Sequence, residues 1–170
     1  ALGTGGAGGN VGITTNNGII TVGVITTTGG SAAGGGATGG LAGTISIDSS
    51  ATALKDITLN GSLSAIGGAT GTAAAGNGNT VTLKGPVKLG AGIAIDASSS
   101  SVAKSGDIHF DSTVTTIDNA QTLGLTGKII AFDGVVGGIT PLGAVTISNA
   151  SDVTATTFSA ASLTQTTGTG

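Results

Sequence analysis

The chain contains no cysteine, methionine, tryptophan, tyrosine, arginine or glutamate, and its only aromatic residues are three phenylalanines. Without cysteine there is no disulfide framework, no thiol catalysis and no Cys-based zinc site. With so few aromatics, a globular core of large interlocking side chains is hard to build, and a narrow core suits the composition better. Charge is scarce too: five Lys and eight Asp make up 8% of the chain and leave a net charge of -3. Nucleic-acid binding is not expected, because phosphate neutralisation needs clustered Lys and Arg. No uninterrupted apolar run reaches the roughly 18 residues of a membrane-spanning helix, so no transmembrane segment is expected.

Glycine is abundant instead, at 34 of 170 positions. In a helix each Gly costs about 1 kcal/mol relative to Ala, and Thr, Val, Ile, Ser and Asp are mediocre helix formers, so strands and turns are favoured. A positive mean hydropathy (+0.45) and patterned aliphatics argue for order over disorder. A surface of Thr, Ser, Asn and Gly stays hydrated without charge and leaves long rods open to sideways association.

One short pattern recurs four times: Ile57-Thr58-Leu59-Asn60-Gly61-Ser62-Leu63, Val81-Thr82-Leu83-Lys84-Gly85-Pro86-Val87, Ile108-His109-Phe110-Asp111-Ser112-Thr113-Val114 and Ile130-Ala131-Phe132-Asp133-Gly134-Val135-Val136. The copies open at Ile57, Val81, Ile108 and Ile130, a period in the twenties. A second pattern, Ile45-Ser46-Ile47-Asp48-Ser49-Ser50 and Ile93-Ala94-Ile95-Asp96-Ala97-Ser98, repeats at two such periods, with Val145-Thr146-Ile147-Ser148-Asn149-Ala150 as a third copy.

These periods predict an all-β fold, a right-handed parallel β-helix (β-solenoid) with coils of roughly 22–27 residues. The period-2 rule turns Ile57, Leu59, Val81, Leu83, Ile108, Phe110, Ile130 and Phe132 inward, and Thr58, Thr82, His109 and Ala131 outward. The small residue at position five turns a corner, and the aliphatic at position seven re-enters the core. About seven coils stacked at about 4.8 Å make a rod of roughly 34 Å.

Residues 1–170 read as a single solenoid segment, Gly/Thr-rich and less regular over 1–44 and more clearly repeated over 45–170. Gly29–Gly36 and Ala65–Gly78 read as loop excursions, with flat strands stacked without side chains as the alternative. The start at Ala1 and the end on Thr167-Gly168-Thr169-Gly170 read as a piece of a longer protein or a processed form. Without a visible capping element at either end, more coils are expected beyond both termini, or end-to-end pairing with another copy.

The run from Gly106 to Gly170 carries a resemblance. Gly106-Asp107-Ile108-His109-Phe110, Asn119-Ala120-Gln121-Thr122-Leu123, Val136-Gly137-Gly138-Ile139-Thr140-Pro141-Leu142-Gly143-Ala144-Val145-Thr146-Ile147 and Phe158–Gly170 resemble the repeat regions of filamentous-haemagglutinin-like secreted proteins. More loosely, they resemble autotransporter adhesin passenger domains. The likeness covers somewhat over a third of the chain. It implies a right-handed parallel β-helix, export across a Gram-negative outer membrane to the cell surface or beyond, and adhesion or matrix building. The amino-terminal secretion domain that defines the family is not recognisable here.

Chemistry-bearing residues are few. His109 is the single histidine, with Asp107 and Asp111 as its only local acids, and reads as a solvated strand residue rather than a base. Asp111 and Asp133 share a motif position and could share a calcium ion, but Asn60 and Lys84 at the equivalent position fit a plain polar strand end. Gly5-Gly6-Ala7-Gly8-Gly9-Asn10 matches a calcium-roll nonapeptide once and imperfectly, and reads as a lead-in. The Gly runs lack the following Lys-Ser or Lys-Thr of a phosphate loop.

A β-helix polysaccharide enzyme needs grouped carboxylates beside Arg or Lys, with Asp48, Asp96, Asp111 and Asp133 the group to watch. There is no Gly-x-Ser-x-Gly elbow for a serine nucleophile. The Thr-rich positions Thr154, Thr156, Thr164, Thr166 and Thr167 suggest an ice-binding face, but coil lengths vary too much for a regular array. No catalytic, cofactor-binding or metal residue is assigned. The expected role is a non-catalytic structural or adhesive stalk of a secreted or cell-surface filament. Its partners are neighbouring coils or copies of itself, and host or matrix glycans and proteins. A self-assembling fibre subunit is the alternative.

Overall fold

Aliphatic residues alternating with small polar ones favour short strands with one buried side, and the protein is built almost wholly of these. A computed structural model describes residues 3–34, 36–50, 55–70, 74–100, 102–111 and 117–168. It is all-β, with sixteen strands, one short 3-10 turn (Val102–Lys104) and no α-helix among the described residues.

Every strand pairing is parallel, and the pairings form three rows. The first row holds β1 (Val11–Thr14), β4 (Ile45–Asp48), β7 (Val81–Lys84), β10 (Ile108–Phe110) and the leading halves of β13 (Ile129–Val136) and β15 (Asp152–Phe158). The second holds β2 (Ile20–Val22), β5 (Ile57–Leu59), β8 (Val87–Leu89), β11 (Ile117–Asp118) and the trailing halves of β13 and β15. The third holds β3 (Ile25–Thr26), β6 (Leu63–Ser64), β9 (Ile93–Asp96), β12 (Leu123–Thr126), β14 (Leu142–Ser148) and β16 (Ala160–Thr166). The chain visits the rows in the same order six times, giving six tiers where seven coils were expected. At β13 the first two rows join through a bulge between Phe132 and Val135, so ten strands form one curled sheet and the third row a six-stranded sheet.

Inward positions line one core. Ile108, Phe110, Ile130 and Phe132 are all buried in it, with Ile45, Ile47, Leu59, Leu83, Leu125 and Ile147. At about 1.5–3 kcal/mol for each large aliphatic removed from water, this cluster is the main source of stability. The three phenylalanines meet in it: Phe110 stacks on Phe132 at 5.0 Å, and Phe158 meets Phe132 edge-on at 5.5 Å. Ala155 sits in register with Phe132, and its small side chain leaves room for Phe158 to lean across from the second row.

The repeats group differently from the sequence patterns. Ile57 pairs with Ile20 and Val87 and so belongs to the second row, whereas Val81, Ile108 and Ile130 lie in register in the first. Ile45 also stands in the first row, but Ile93 stands in the third with Leu123 and Val145. Val87 and Val136 re-enter on the second row and Leu63 on the third, while Val114 lies outside the described residues. Thr58, Thr82 and His109 alternate outward but are half-buried, and Ala131 is small enough to be shielded altogether.

Coil length differs as well. Val11, Ile45, Val81, Ile108, Ile130 and Val153 hold one register position in successive tiers. The first two passes between them take roughly 35 residues each and the last two roughly 22, so the early coils are longer than expected. The extra residues form arms, 27–32 returning through 38–44 and 65–69 returning through 74–79. Of the stretches read as excursions, 29–32, 65–69 and 74–78 lie in these arms, while residues 35 and 71–73 lie outside the described residues.

The arms are tied at every third residue. Gly5, Gly8 and Val11 donate to the carbonyls of Thr38, Leu41 and Thr44. Gly39, Ala42 and Ile45 donate to Ala74, Asn77 and Thr80, and Gly40 and Gly43 turn to Gly30 and Thr27, all at 2.7–3.2 Å. Three residues per turn is the period of a polyproline II helix, which forms no internal hydrogen bonds and here bonds to neighbouring arms instead. Exposure repeats with the same period: Thr38 and Leu41 face out, and the glycines between them are buried. A Cβ on Gly40 would strike the Gly6 carbonyl, and one on Gly76 that of Gly40. Only glycine permits this spacing.

Candidate functional site

The third-row strand β9 and the first-row strand β4 end alike. Asp48 accepts hydrogen bonds from the Ser50 amide (2.9 Å) and hydroxyl (2.7 Å), and Asp96 accepts one from the Ser98 amide (2.9 Å). Each carboxylate closes a turn two residues on, which is common chemistry for Asp at a strand end. The Ser50 hydroxyl, then the Ser50 amide, and Lys84 to a lesser degree, hold the Asp48 carboxyl below its ordinary pKa against a small opposing effect of burial.

Of the four aspartates singled out as a possible enzymatic group, Asp48, Asp111 and Asp133 fall at one level of the first row, with Lys84 between Asp48 and Asp111, and Asp96 stands apart on the third. Asp48 lies in register with Lys84 on the first row, and Asp96 lies with Ser64 and Thr126 on the third. Asp111 follows Phe110 and pairs with Lys84 at 3.8 Å, both side chains being about half exposed. Such a bridge is worth about 0–1 kcal/mol. Asp133 is exposed at the β13 bulge. Phe110 and Phe132 lie in register, so Asp111 and Asp133 leave adjacent strands at the same level, as their shared motif position suggests. Among the described residues no group of three or more His, Cys, Asp or Glu side chains is placed to hold a metal.

His109 lies in β10 between Thr82 and Ala131 on the neighbouring strands. Its two local acids are turned elsewhere: Asp107 accepts from the Ile129 amide (3.2 Å), and Asp111 faces Lys84. Among the described residues no hydrogen-bond partner orients the imidazole, as a base would need.

Gly5–Asn10 is engaged with its own chain. The Gly6 carbonyl accepts from Gly30 and the Asn10 carboxamide oxygen from the Thr44 amide (2.8 Å), so both these oxygens have donors within the chain. The threonines Thr154, Thr164 and Thr166 fall on two rows. Thr154 lies beside Ala131, Thr164 beside Thr146, and Thr166 beside Ser148 at 3.1 Å between hydroxyls. A column does run down the third row, Thr26, Ser64, Asp96, Thr126, Ser148 and Thr166, with Asp96 interrupting the hydroxyls.

Two charged contacts escaped the sequence reading. Lys88 hydrogen-bonds to Asp56, and this bond, with the attraction of Asp56 and more weakly of Asp118, raises the Lys88 pKa. Asp118 is buried and accepts from the amides of Ile139 (3.1 Å) and Thr140 (3.2 Å), which ties the second row to the turn before β14. Its only advance signal was its place beside Asn119, a residue with positive φ (86°) that favours a turn.

No helix among the described residues is long and apolar enough to cross a membrane. Comparison with protein-family models, with curated proteins and with solved structures finds no match for this chain.

Proposed function

We propose that this chain is a right-handed parallel β-solenoid segment serving as a non-catalytic structural or adhesive stalk of a secreted or cell-surface filament of a Gram-negative bacterium. The observation that carries the reading is the row architecture. Three rows of strands continue in register through six tiers, with the large side chains turned into one core and mostly short, uncharged residues turned out. At about 4.8 Å per tier the rod is roughly 29 Å long. A Lys84–Asp111 pair on a half-exposed strand end and an Asp107 turned from His109 to the Ile129 amide support a scaffold over an enzyme. The resemblance of Gly106–Gly170 to filamentous-haemagglutinin-like repeats supports the extracellular setting.

Binding of the purified chain to host-cell glycans and matrix proteins, measured with single outward substitutions on each row, tests the proposal. Contacts spread over faces lose no more than a few-fold for any one change. Glycan cleavage that disappears in His109→Ala would contradict the stalk reading.

A further inference from the structure

Asparagine followed by glycine is a self-reactive pair, because glycine has no Cβ to keep its own nitrogen from reaching the preceding carboxamide carbon. The chain holds three such pairs, Asn17-Gly18, Asn60-Gly61 and Asn77-Gly78, and all three asparagines are exposed. What separates them is the glycine amide, which is the nucleophile once its proton is lost. The Gly18 amide donates to the Thr15 hydroxyl (3.0 Å), and the Gly78 amide donates to the Lys104 carbonyl (2.9 Å). The Gly61 amide donates to no described residue, and the Asn60 carboxamide has no hydrogen-bond partner among the described residues either.

The corner around Asn60 explains why these groups are left over. β5 ends at Leu59 and β6 begins at Leu63, so Asn60, Gly61 and Ser62 carry the chain from the second row to the third. The ladder holds the main chain up to Asn60 and takes it up again at Ser62. The Asn60 amide donates to the Val22 carbonyl (2.8 Å), the Leu59 carbonyl accepts from Gly90 (2.8 Å), and the Ser62 carbonyl accepts from Ile25 (3.1 Å). The peptide joining Asn60 to Gly61 falls between these bonds. The Asn60 Oδ1 rests over Gly90, in the space that a Cβ there would fill, and Gly61 lies so close to the Gly23–Val24 backbone that it has no room for a Cβ of its own.

We propose that Asn60 is a spontaneous modification site, at which the folded chain converts asparagine to aspartate and isoaspartate in preference to Asn17 and Asn77. The Gly61 nitrogen attacks the Asn60 Cγ, a new N–C bond closes a succinimide ring, and the Cγ–Nδ2 bond breaks. The amino group leaves as ammonia with the proton that Gly61 gives up. Water then opens the ring, at Cγ to give aspartate or at the main-chain carbonyl to give isoaspartate. Either product puts a negative charge on the corner. Isoaspartate also adds a methylene to a main chain that is packed against Gly23 and Val24.

Incubation of the full chain at mildly alkaline pH, folded and in denaturant, tests the proposal by peptide mass spectrometry with fragmentation that tells isoaspartate from aspartate. Each conversion appears as a mass gain of about 1 Da. Denaturant frees all three glycine amides, so the rate in denaturant divided by the rate in the folded chain gives the protection that the fold supplies at each pair. Protection at Asn60 should be at least about threefold smaller than at Asn17 and at Asn77. Thr15→Ala, which removes the acceptor of the Gly18 amide, should speed conversion at Asn17 and leave Asn60 unchanged. Chains that carry isoaspartate at position 60 should unfold at lower denaturant than Asn60→Asp, whose main chain keeps its length. Protection at Asn60 equal to or greater than at the other two pairs overturns the proposal, and so does a Thr15→Ala chain in which Asn17 converts no faster. Equal unfolding midpoints for the two products overturn the crowding at the corner.

Discussion

The passes before Val81 and those after Ile108 meet one demand in two ways. In the later tiers a turn of chain takes roughly 22 residues, and side chains do the packing, with Phe132 held between Phe110 and Phe158. In the earlier tiers a turn takes roughly 35 residues, and much of the excess packs backbone on backbone, with Gly40 against Gly6 and Gly76 against Gly40. The contrast teaches that glycine richness here is a packing material. Where a side chain is absent, a neighbouring arm can approach closely enough to satisfy its amides, so a Gly-rich stretch gains order without an aliphatic core.

The comparison breaks hardest on the side-chain side. Phe132→Ala removes the ring that both other phenylalanines touch and should cost about 3–5 kcal/mol in denaturant unfolding. Gly40→Ala comes next, at about 1–3 kcal/mol, because the new methyl meets backbone that cannot swing aside. The third substitution has the opposite sign. Gly12 in β1 has open space where its Cβ would stand, so Gly12→Ala should stabilise by about 0.4–1 kcal/mol by narrowing the unfolded ensemble. If Gly40→Ala and Gly12→Ala shift stability alike, the glycines of the arms are not closely packed.

The smallest effect concerns pH. Asp48 has a lowered pKa in the folded chain, so its contribution is present above the ordinary carboxylate pKa and is lost as pH falls through the lowered value. Ser50→Ala removes the leading cause and should raise the Asp48 pKa part of the way back in an NMR titration, because the Ser50 amide still donates. An unchanged titration would mean that the hydroxyl does not hold the carboxylate.

The inward set was readable in advance because a period of two is local: Ile108, Phe110, Ile130 and Phe132 declare themselves within a single triplet each. The rows were not, because row membership is a relation between tiers. The same aliphatic, polar, aliphatic triplet serves all three rows, so Ile57 looked equivalent to Val81 while pairing with Val87. Ile45-Ser46-Ile47-Asp48 and Ile93-Ala94-Ile95-Asp96 matched because both end in the same aspartate turn, which says nothing about which row they join. The arms were hidden for another reason. Their period of three is written in hydrogen bonds, and Gly, Ala and Thr at the bonded and unbonded positions look alike in sequence. His109 was correctly placed on a strand's outward side, whereas the buried carboxylate of Asp118 was not singled out, its partners lying far along the chain in Ile139 and Thr140.

Native-state amide exchange tests the central claim, that the glycine arms are an ordered array, most directly. Gly40, Gly43, Gly68 and Gly76 donate to Gly30, Thr27, Gly40 and Gly68, and their amides should be protected to the level of the β7 and β9 strands. Leu41, exposed on the same arm and with an amide that donates to no described residue, should exchange far faster than Gly40 and Gly43 on either side of it. Fast exchange across 38–44 and 65–69 alike, with no alternation at every third residue, would contradict the account and return both stretches to loops.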